Sequence, residues 1–478
     1  MRCFRALAAA VLLAFTLAPA GRCDPEPGAP DNELTRKLDG YINVDAVKRG
    51  FVGLLVKSLT DDRVLYSHNS TRILIPASCM KLLVTSAALD ALGPDFRLKT
   101  EVLRVGDVAD GALKGDLILK GYGDSSLDTK GLAQMADAVK AAGISRIAGD
   151  LVADDSYFDG QRFGSGWNWD YEPASYAGPV GALVLNHNTT SVYVKPGKAG
   201  EPVQVTFGPP STHFAVENNV ITGPAGTSAG LRVGRRRTTN LITVNGGFGA
   251  DSKTDTTTLA VDDPTMWVGD AFLQMLKERG IAVEGKLARG TAPAGAKVLN
   301  THYSEPLSSI LENINRHSIN VMAECLLKTL GAEKKGRGDY GSGIAAEKEF
   351  LARIGVAGDE LNIFDGSGLS RCDMVSPNAL VTILSYMHRS PNSKVWIDSL
   401  PAAGGDGTLH LSMRGTPAEG NLRAKTGNLG WVQSLAGYVT TKGGEPLVFA
   451  LIVNNFKCPD SEIYKIRTQI GAALASLP

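Results

Sequence analysis

The clearest structural signal in this chain is the stretch PASCMKLLVTSAALDAL, residues 76–92. After Ser78 it contains neither Gly nor Pro and is rich in Leu, Ala, Met and Val, a composition typical of a helix that is apolar on most faces. Gly93 and Pro94 then stop the helix. The sequence therefore predicts a buried core helix over residues 79–92.

A serine and a lysine lie at the start of this helix. Ser78 and Lys81 are three residues apart, which places their side chains on one face. Burial and the positive end of the helix dipole both disfavour an ammonium, so we expect a lowered pKa for Lys81. A neutral amine beside a hydroxyl is a general base beside a nucleophile. The alternative is a helix cap with a solvated lysine, but Ser78 is the only serine with Lys three residues on, and Lys81 has apolar neighbours.

Strands and helices flank this helix at both ends of the chain. The predicted strands cover residues 51–56 and 63–67, which form a hairpin, and residues 432–440 and 446–453, which form an antiparallel pair. The predicted helices cover residues 307–316, 321–330 and 461–477. The two ends of the chain together therefore predict one antiparallel sheet covered by helices.

The region between these ends has a different sequence pattern, in which short alternating segments are separated by turns rich in Gly and Pro. The segments are strands over 113–119, 147–152, 191–194, 203–207 and 241–244, and helices over 131–142 and 269–278. We expect an α+β multidomain fold. The helix-covered sheet takes residues 32–95 and 297–478, an inserted domain II takes 96–182 and 264–296, and a nested β-rich domain III takes 183–263.

Composition and charge exclude several classes of protein. Lys plus Arg and Asp plus Glu both number 49 among 478 residues, so the formal net charge is zero. This balance argues against nucleic-acid binding, and ordinary hydrophobicity argues against disorder. The six cysteines contain no CxxC and the seven histidines show no metal spacing, so we expect neither a metal nor a cofactor.

The amino terminus predicts export. Two arginines precede or flank the start of an apolar run over residues 6–17, and Ala18-Pro19-Ala20 suits a signal peptidase, so we expect cleavage near Ala20. Residues 1–20 are then a signal peptide and residues 21–31 a flexible leader. A membrane anchor is the less favoured alternative, because the apolar run is short for a membrane span.

A second candidate motif, Lys425-Thr426-Gly427, occurs once and lies next to the carboxyl-terminal strand pair. Strand alternation puts Lys425 and Gly427 on one face and Thr426 on the other. A lysine and a hydroxyl suit an extended ligand with a carboxylate, and Gly427 would permit close approach of the ligand backbone. Taken alone, the motif is more typical of a turn at a strand end.

A Ser-x-Asn pattern between these two motifs is less specific. It occurs in the chain at Ser67, Ser318, Ser376 and Ser390. The first precedes Ser78, and the last two are followed by Pro, which is typical of turns or helix N-caps. We favour Ser318-Ile319-Asn320, because a connection between two helices can present both side chains to a cleft.

Together the three motifs, in this order, resemble the signature of the penicillin-binding proteins and serine β-lactamases. The long insertion between the first two motifs is similar to that of the D-alanyl-D-alanine carboxypeptidase/endopeptidase branch, peptidase family S13, of the penicillin-binding protein 4 type. The segments SINVMAE from residue 318, DGSGLS from residue 365 and DLVADD from residue 150 support the resemblance. It covers nearly all of the chain after the predicted signal peptide.

The resemblance implies roles for the reacting groups. Ser78 is the nucleophile that becomes acylated, and Lys81 is its base. Ser318 relays a proton to the leaving group, and Asn320 orients the substrate amide. The backbone N–H groups of Ser78 and Asn428 form the oxyanion hole.

The resemblance also implies substrate-binding residues. Lys425 supplies positive charge near the substrate carboxylate, assisted by the hydroxyl of Thr426 and next to Gly427. Asn428 departs from the Thr or Ser that is common at this position in the family, which puts a side-chain contact to the carboxylate in doubt. Asp154 matches an acidic position that meets the amine of the diaminoacyl residue in some members.

The function implied is a serine-type D-Ala-D-Ala carboxypeptidase that also cleaves peptidoglycan cross-links, works without a cofactor, and is acylated by β-lactams. The implied location is the periplasm or cell wall. A β-lactamase on the same scaffold, a catalytically silent wall-binding module and a Ser-His-Asp hydrolase are the alternatives. The long insertion argues against the first, the intact motifs against the second, and the lack of Gly-x-Ser-x-Gly around Ser78 against the third.

Two further features are interpreted as structural. The run Arg235-Arg236-Arg237 predicts a solvated surface, with contact to anionic wall polymer as the less favoured alternative. The glycine-rich segment 404–408 predicts a turn, because it lacks the Gly-Lys-Ser/Thr ending of a phosphate loop.

Overall fold

The protein, seen in a computed structural model, is described over residues 32–227 and 230–478. The predicted signal peptide, 1–20, and leader, 21–31, lie outside the described residues. Within the described part, no helix combines the length and the apolar character needed to cross a membrane. Four cysteines lie in this part and all are free thiols, namely Cys79, Cys325, Cys372 and Cys458.

The described helices include all six that the sequence predicted, together with α1, α7, α8 and α9, which it did not predict. They are α1 (Glu33–Ile42), α2 (Lys81–Leu92), α3 (Thr129–Ala141), α4 (Pro264–Glu278), α5 (Leu307–Arg316), α6 (Asn320–Lys335), α7 (Tyr340–Arg353), α8 (Pro377–Arg389), α9 (Ser393–Ser399) and α10 (Asp460–Ala475). Most begin at side-chain caps or at Pro. For example, Ser376 caps α8 by accepting a hydrogen bond from the N–H of Ala379, which agrees with the N-cap predicted there.

The described strands are short in the middle of the chain and long at its end. They are β1 (Phe51–Ser58), β2 (Val64–His68), β3 (Lys99–Arg104), β4 (Val108–Ala109), β5 (Ala112–Leu113), β6 (Leu117–Gly121), β7 (Arg146–Ile147), β8 (Leu151–Asp154), β9 (Thr189–Lys195), β10 (Gln204–Gly208), β11 (Ala215–Asn218), β12 (Thr222–Gly223), β13 (Arg232–Arg235), β14 (Leu241–Asn245), β15 (Phe248–Gly249), β16 (Asp255–Ala260), β17 (Ala282–Val283), β18 (Leu287–Arg289), β19 (Lys297–Tyr303), β20 (Leu361–Asn362), β21 (Met374–Val375), β22 (Arg423–Leu429), β23 (Val432–Thr440) and β24 (Pro446–Asn454).

The two ends of the chain build one antiparallel sheet, as predicted. Its strand order is β2-β1-β24-β23-β22, and β1 pairs with β24 along its whole length. One face packs against α1 and α10, and the other against α8, whose hydrophobic cluster also includes α2, α5 and α6. Buried side chains surround α2 on every side, because every residue from Lys81 to Leu89 is buried. The edge strand β22 carries the Lys425-Thr426-Gly427 motif.

Two segments of the insertion that the sequence predicted as single strands are each divided between two sheets. The predicted strand over 113–119 is divided between β5 and β6, and the one over 147–152 between β7 and β8. The cause is a close backbone approach at two glycines, since a Cβ on Gly115 would lie 2.2 Å from the oxygen of Val105. The N–H of Gly149 donates to the oxygen of Gly115 at 3.0 Å. The chain therefore changes sheet at both points.

One predicted boundary of the insertion is wrong. The sequence pattern puts residue 297 at the start of the helix-covered sheet, but β19 hydrogen-bonds to β3 at the edge of the five-stranded sheet β18-β8-β6-β3-β19. The insertion thus extends through Tyr303. The cause is cross-strand pairing over nearly 200 residues of chain, which no local pattern reveals.

The nested segment 183–263 contains the short sheets β10-β9-β16, β11-β14-β13 and β12-β15. Its apolar side chains join those of α3 and α4 in one hydrophobic cluster, so domains II and III share a core. We keep the predicted division into domains II and III as a proposal. The strands nevertheless lie where the sequence placed a β-rich segment.

The arginine run does not form a uniformly solvated surface. The side chain of Arg235 is fully buried and pairs with Glu172 at 2.9 Å. It also donates to the backbone oxygens of Ala260 and Thr239, each at 2.7 Å. Arg236 and Arg237 match the prediction, because both are exposed and Arg236 pairs with Glu217. The prediction was wrong for Arg235 because its acidic partner, Glu172, lies 63 residues away in the sequence.

Candidate active site

The nucleophile candidate Ser78 lies in a turn of 3₁₀ helix, Ala77–Met80, immediately before α2. Ala77 adopts a left-handed backbone with φ +46°, which re-aims the chain just before the serine. The α-helix itself begins at Lys81, two residues later than predicted. Ser78 is half-buried and lines a cleft of about 420 Å³, so its hydroxyl is accessible from the cleft.

Lys81 is fully buried beside this serine. Its Nζ lies 2.8 Å from Ser78 Oγ, 2.6 Å from Asn320 Oδ1 and 2.7 Å from the carbonyl oxygen of Ser367. Burial, reinforced by the charge of Lys425, holds the pKa of Lys81 well below its usual range. A neutral Lys81 can donate its two hydrogens to Asn320 and Ser367, which points its lone pair at the hydroxyl of Ser78.

A second hydroxyl–lysine pair lies across the same cleft. Lys425 is fully buried, and its Nζ donates to Ser318 Oγ at 2.8 Å and to the carbonyl oxygen of Thr426 at 2.8 Å. Ser318 lies in the predicted connection between α5 and α6, with φ +61°. Burial, reinforced by the charge of Arg467, lowers the pKa of Lys425 to about 8. Lys425 can therefore be charged or neutral near neutral pH.

Gly427 serves the chain's own packing. A Cβ at this position would lie 2.2 Å from Ser434 Oγ, 2.5 Å from the oxygen of Pro76 and 3.0 Å from the backbone N of Ser78. Ser434 Oγ also donates to Pro76 at 2.6 Å. The sequence predicted that this glycine makes room for a ligand. The structure instead shows that it lets β22 press against the turn that carries Ser78.

Thr426 and Asn428 lie on the other face of β22, as strand alternation requires. Thr426 Oγ1 lies 2.8 Å from Thr408 Oγ1, and Asn428 Nδ2 donates to the hydroxyl of Tyr464 at 3.2 Å. Asn428 is exposed and also lines the Ser78 cleft. The Lys-Thr-Gly motif therefore points its lysine at Ser318 and its threonine at the side of the sheet that faces α10.

Asp154 does not reach this cleft. It is fully buried on β8, where its carboxylate accepts hydrogen bonds from the N–H groups of Ser156 at 2.9 Å and Ala292 at 2.8 Å. Lys120 Nζ lies 3.3 Å from the same carboxylate. The side chain is thus engaged inside the insertion, and we leave Asp154 out of the proposed site. Its acidic sequence motif carried no information about which way the strand faces.

Two groups of the candidate site were not predicted from the sequence. Glu324, one helical turn after Asn320 on α6, is fully buried and accepts hydrogen bonds from the N–H groups of Gly366 at 3.1 Å and Ser367 at 2.8 Å. Burial, followed by the charge of Asp365, raises the pKa of Glu324 to about 8. The second group is the carbonyl oxygen of Ser367, which accepts a hydrogen bond from Lys81 and which no sequence pattern indicates. Glu324 could have been found from its spacing after Asn320.

The cleft wall opposite the motifs comes from the insertion. Tyr171 and Tyr176 line the cleft with Leu369, and the backbone oxygen of Tyr176 accepts a hydrogen bond from Asn320 Nδ2 at 2.8 Å. Asn320 therefore joins three parts of the chain, because its other atom, Oδ1, receives Lys81. A peptide in this cleft would meet one hydroxyl from each side, Ser78 and Ser318.

The chain matches proteins of known family over nearly its whole length. The model of the D-Ala-D-Ala carboxypeptidase 3 (S13) family matches residues 34–477. The chain is 35% identical over 471 residues to the D-alanyl-D-alanine carboxypeptidase of Actinomadura sp. (strain R39), covering 94% of this chain and 87% of that protein. It is 27% identical to D-alanyl-D-alanine carboxypeptidase DacB of Haemophilus influenzae, covering 90% of this chain and 89% of that protein.

A solved structure extends the likeness to the fold. The crystal structure of penicillin binding protein 4 (dacB) from Haemophilus influenzae superposes with a TM-score of 0.81 at 25% sequence identity, covering 93% of this chain and 100% of that chain. This confirms the α+β multidomain fold, and the family match confirms the resemblance that the three motifs indicated. The chain belongs to the D-Ala-D-Ala carboxypeptidase 3 (S13) family.

Proposed function

We propose that this chain is a serine carboxypeptidase that removes the terminal residue from peptides ending in D-Ala-D-Ala, through an acyl-enzyme on Ser78. One observation carries the proposal, namely the buried Lys81 whose Nζ lies 2.8 Å from Ser78 Oγ. A buried amine with a lowered pKa is a base that can activate a serine without a histidine. The two relatives named D-alanyl-D-alanine carboxypeptidase support the choice of substrate.

The proposed reaction moves one proton through the two hydroxyl–lysine pairs. Ser78 Oγ attacks the carbonyl carbon of the penultimate D-Ala while its proton passes to Lys81. The leaving nitrogen takes a proton from Ser318, which Lys425 orients. Ser318 then regains a proton, namely the one that Lys81 took from Ser78. The amide C–N bond breaks, D-Ala leaves, and an ester on Ser78 remains. Water then hydrolyses this ester, with Lys81 again as base.

Substrate binding in this proposal uses both sides of the cleft. Charged Lys425 attracts the terminal carboxylate, and Asn320 orients the amide of the penultimate residue. The N–H groups of Ser78 and Asn428 stabilise the oxyanion. We further propose that peptidoglycan stem peptides and their cross-links are the natural substrates, and that the chain is exported to the periplasm or cell wall with its signal peptide cleaved near Ala20.

β-Lactams are the proposed inhibitors, because the H. influenzae neighbour is named a penicillin binding protein. They should acylate Ser78, and the acyl-enzyme should hydrolyse slowly. A β-lactamase would instead deacylate rapidly. A silent module would form no adduct at all.

The test is intact-protein mass spectrometry of the purified mature chain after incubation with benzylpenicillin, with Ser78→Ala as the control. We expect one stable adduct on the wild type and none on the variant. Release of D-Ala from diacetyl-L-Lys-D-Ala-D-Ala, measured in parallel, should also require Ser78. Hydrolysis of benzylpenicillin without a lasting adduct would favour the β-lactamase, and an inert wild type would favour the silent module.

A further inference from the structure

A second cavity, of about 780 Å³, lies on the face of β22 that carries Thr426 and Asn428. It is termed here the α10 pocket, and its walls include Thr408, Leu411, Thr426, Asn428, Tyr464 and Arg467. Asn428 lines both this pocket and the Ser78 cleft, so the two spaces meet at the end of β22. The pocket therefore adjoins the strand to which the proposed function assigns the carboxyl-terminal side of the substrate.

Arg467 gives this pocket an uncompensated positive charge. The residue is 5% exposed, and its contacts are a hydrogen bond to Gln433 Oε1 at 3.4 Å and the ring of Tyr464, 5.4 Å from its guanidinium carbon. Over residues 32–227 and 230–478, no carboxylate forms an ion pair with Arg467. A buried guanidinium without an anion is unfavourable, and it becomes favourable when a carboxylate arrives.

The other charges around the pocket do not cancel that of Arg467. Lys465, also in the pocket wall, is paired at 2.7 Å with Glu462, which is one turn away on the exposed side of α10. The polar groups on the β22 side, Thr426 and Asn428, carry no charge. Burial lowers the pKa of Arg467, which again indicates that the site favours the arrival of an anion.

The size of the pocket separates two kinds of leaving group. A released alanine has a methyl side chain, whereas a cavity of about 780 Å³ is in the range that holds drug-sized ligands. We propose that the α10 pocket binds the leaving-group side of the substrate when that side is an acidic residue or peptide larger than alanine, with its carboxylate on Arg467. This inference rests on the proposed function, because it extends the same site beyond the scissile bond.

The test compares three tripeptides that differ only in the leaving residue: diacetyl-L-Lys-D-Ala followed by D-Glu, D-Gln or D-Ala. D-Glu and D-Gln have the same shape and differ in charge. We expect wild type to show a kcat/KM for the D-Glu peptide roughly tenfold above that for the D-Gln peptide, the scale of a charge-assisted hydrogen bond. Arg467→Met should bring this ratio close to one, and Arg467→Lys should retain part of it.

Two further variants keep the test independent of folding at a buried site. Leu411 is 68% exposed at the pocket, so Leu411→Glu should fold and should lower the D-Glu to D-Gln ratio by repulsion. Arg389→Met removes a positive charge from an exposed pair with Asp62 and should leave the ratio unchanged. Equal rates for D-Glu and D-Gln in the wild type, or an unchanged ratio in both Arg467→Met and Leu411→Glu, would overturn the inference.

The third peptide separates this inference from the proposed function. A wild type that releases D-Ala but shows no preference for D-Glu overturns the pocket alone. A wild type that releases none of the three residues overturns the carboxypeptidase itself.

Discussion

Lys81 and Lys425 are both fully buried, yet the proposed reaction requires opposite charges on them. Lys81 has to be neutral to take the proton of Ser78, and Lys425 has to be charged to attract a carboxylate. Burial and the charge of Lys425 lower the pKa of Lys81 furthest, while Lys425 retains a pKa of about 8. The two amines therefore divide the roles of base and cation because their pKa values are separated.

This separation predicts a bell-shaped pH profile for acylation by benzylpenicillin. The rate constant should rise with pH as Lys81 loses its proton and should fall above about pH 8, as Lys425 becomes neutral. Stopped-flow measurements across pH 5 to 10, in roughly half-unit steps, would define both limbs. In Lys425→Arg the upper limb should move to higher pH, because a guanidinium stays protonated. An upper limb at the same pH in that variant would contradict the assignment.

Gly427→Ala should damage both the packing and the reaction. Its new Cβ meets Pro76 and Ser434 well inside van der Waals distance, so β22 has to move away from the Ser78 turn. We expect a loss of about 1–3 kcal/mol in the free energy of unfolding, the usual scale for overpacking, and a slower acylation by benzylpenicillin. Urea unfolding followed by circular dichroism measures the first effect.

Gly40→Ala is the matched control. Gly40 lies in α1 and is exposed, and a methyl group added to it would meet no atom within 4 Å. Replacing a helical glycine by alanine should stabilise the protein by about 0.5–1 kcal/mol and leave acylation unchanged. Equal stability of the two variants would mean that the contact between β22 and the Ser78 turn is unimportant.

The sequence predicted which residues form the site better than it predicted where each side chain lies. Ser78, Lys81 and Ser318 come together as their spacing and chain order indicated. The direction of Thr426 followed from strand alternation, whereas the location of Asp154 inside the insertion did not follow from any local pattern. The hydrogen bond from Lys81 to the carbonyl oxygen of Ser367 could not be predicted, because every residue has a backbone carbonyl and the sequence does not distinguish this one.

Among the elements, α6 connects the second motif to the turn beneath Lys81. Its first residue, Asn320, receives Lys81, and Glu324 one turn later holds the N–H groups of Gly366 and Ser367. The Ser367 carbonyl in turn accepts a hydrogen bond from Lys81. One helical turn of α6 therefore positions two of the acceptors that orient the base.

Glu324 should make the stability of the fold depend on pH. Its folded-state pKa of about 8 lies above the ordinary value of 4.5, so the folded chain holds a proton that the unfolded chain has lost between these values. The stability from this proton is fully present below about pH 4.5 and is lost as the pH rises through about 8. Urea unfolding of the wild type at both ends of this window would measure the loss.

Glu324→Gln removes this titration and should flatten the pH dependence of stability relative to the wild type. It should also slow acylation, because a glutamine has one acceptor oxygen for two N–H groups. The control is Glu349→Gln on α7, an exposed partner of Lys335, which should leave the slope as in the wild type. The same slope in wild type and Glu324→Gln would contradict a protonated Glu324.

Local patterns located some elements of both kinds and missed others, since β23 and β24 agree with the predicted strands whereas α7 and α8 were not predicted as helices. The boundaries of α5 agree with the apolar period, and those of α3, α6 and α10 differ from it by a few residues. Strands β5 and β6 were merged in the prediction, because a bend at Gly115 is set by a contact with Val105 rather than by strand propensity. Helices are stabilised by neighbours in sequence, whereas sheets are set by partners far along the chain.

Across the whole molecule, the insertion is tied to the cleft through Arg235. This buried arginine on β13 pairs with Glu172, which lies in the same segment as Tyr171 and Tyr176 of the cleft wall. Arg235→Met should lower the free energy of unfolding by about 3 kcal/mol, because it leaves Glu172 without its partner. It should also weaken acylation, since the wall that holds Asn320 loosens.

Arg236→Met is the neighbouring control, because Arg236 forms an exposed pair with Glu217. A change of less than about 1 kcal/mol is expected there, as for most surface pairs. Thermal unfolding and benzylpenicillin acylation of both variants provide the comparison. Equal effects of the two substitutions would mean that the nested segment does not support the cleft.

The pairing of β1 with β24 sets the order of events when the protein is made. Phe51 lies opposite Asn454 in the sheet, so β1 has to wait for some 400 residues to be synthesised before its partner exists. Strand β22 and its neighbour at the sheet edge, β23, are equally late in the chain. A growing chain would thus carry the Ser78 turn without the Lys425 strand against it. We therefore expect a nascent chain that has not yet reached Lys425 to lack the acylation activity of the finished protein, and the last strands to be the ones that complete the site.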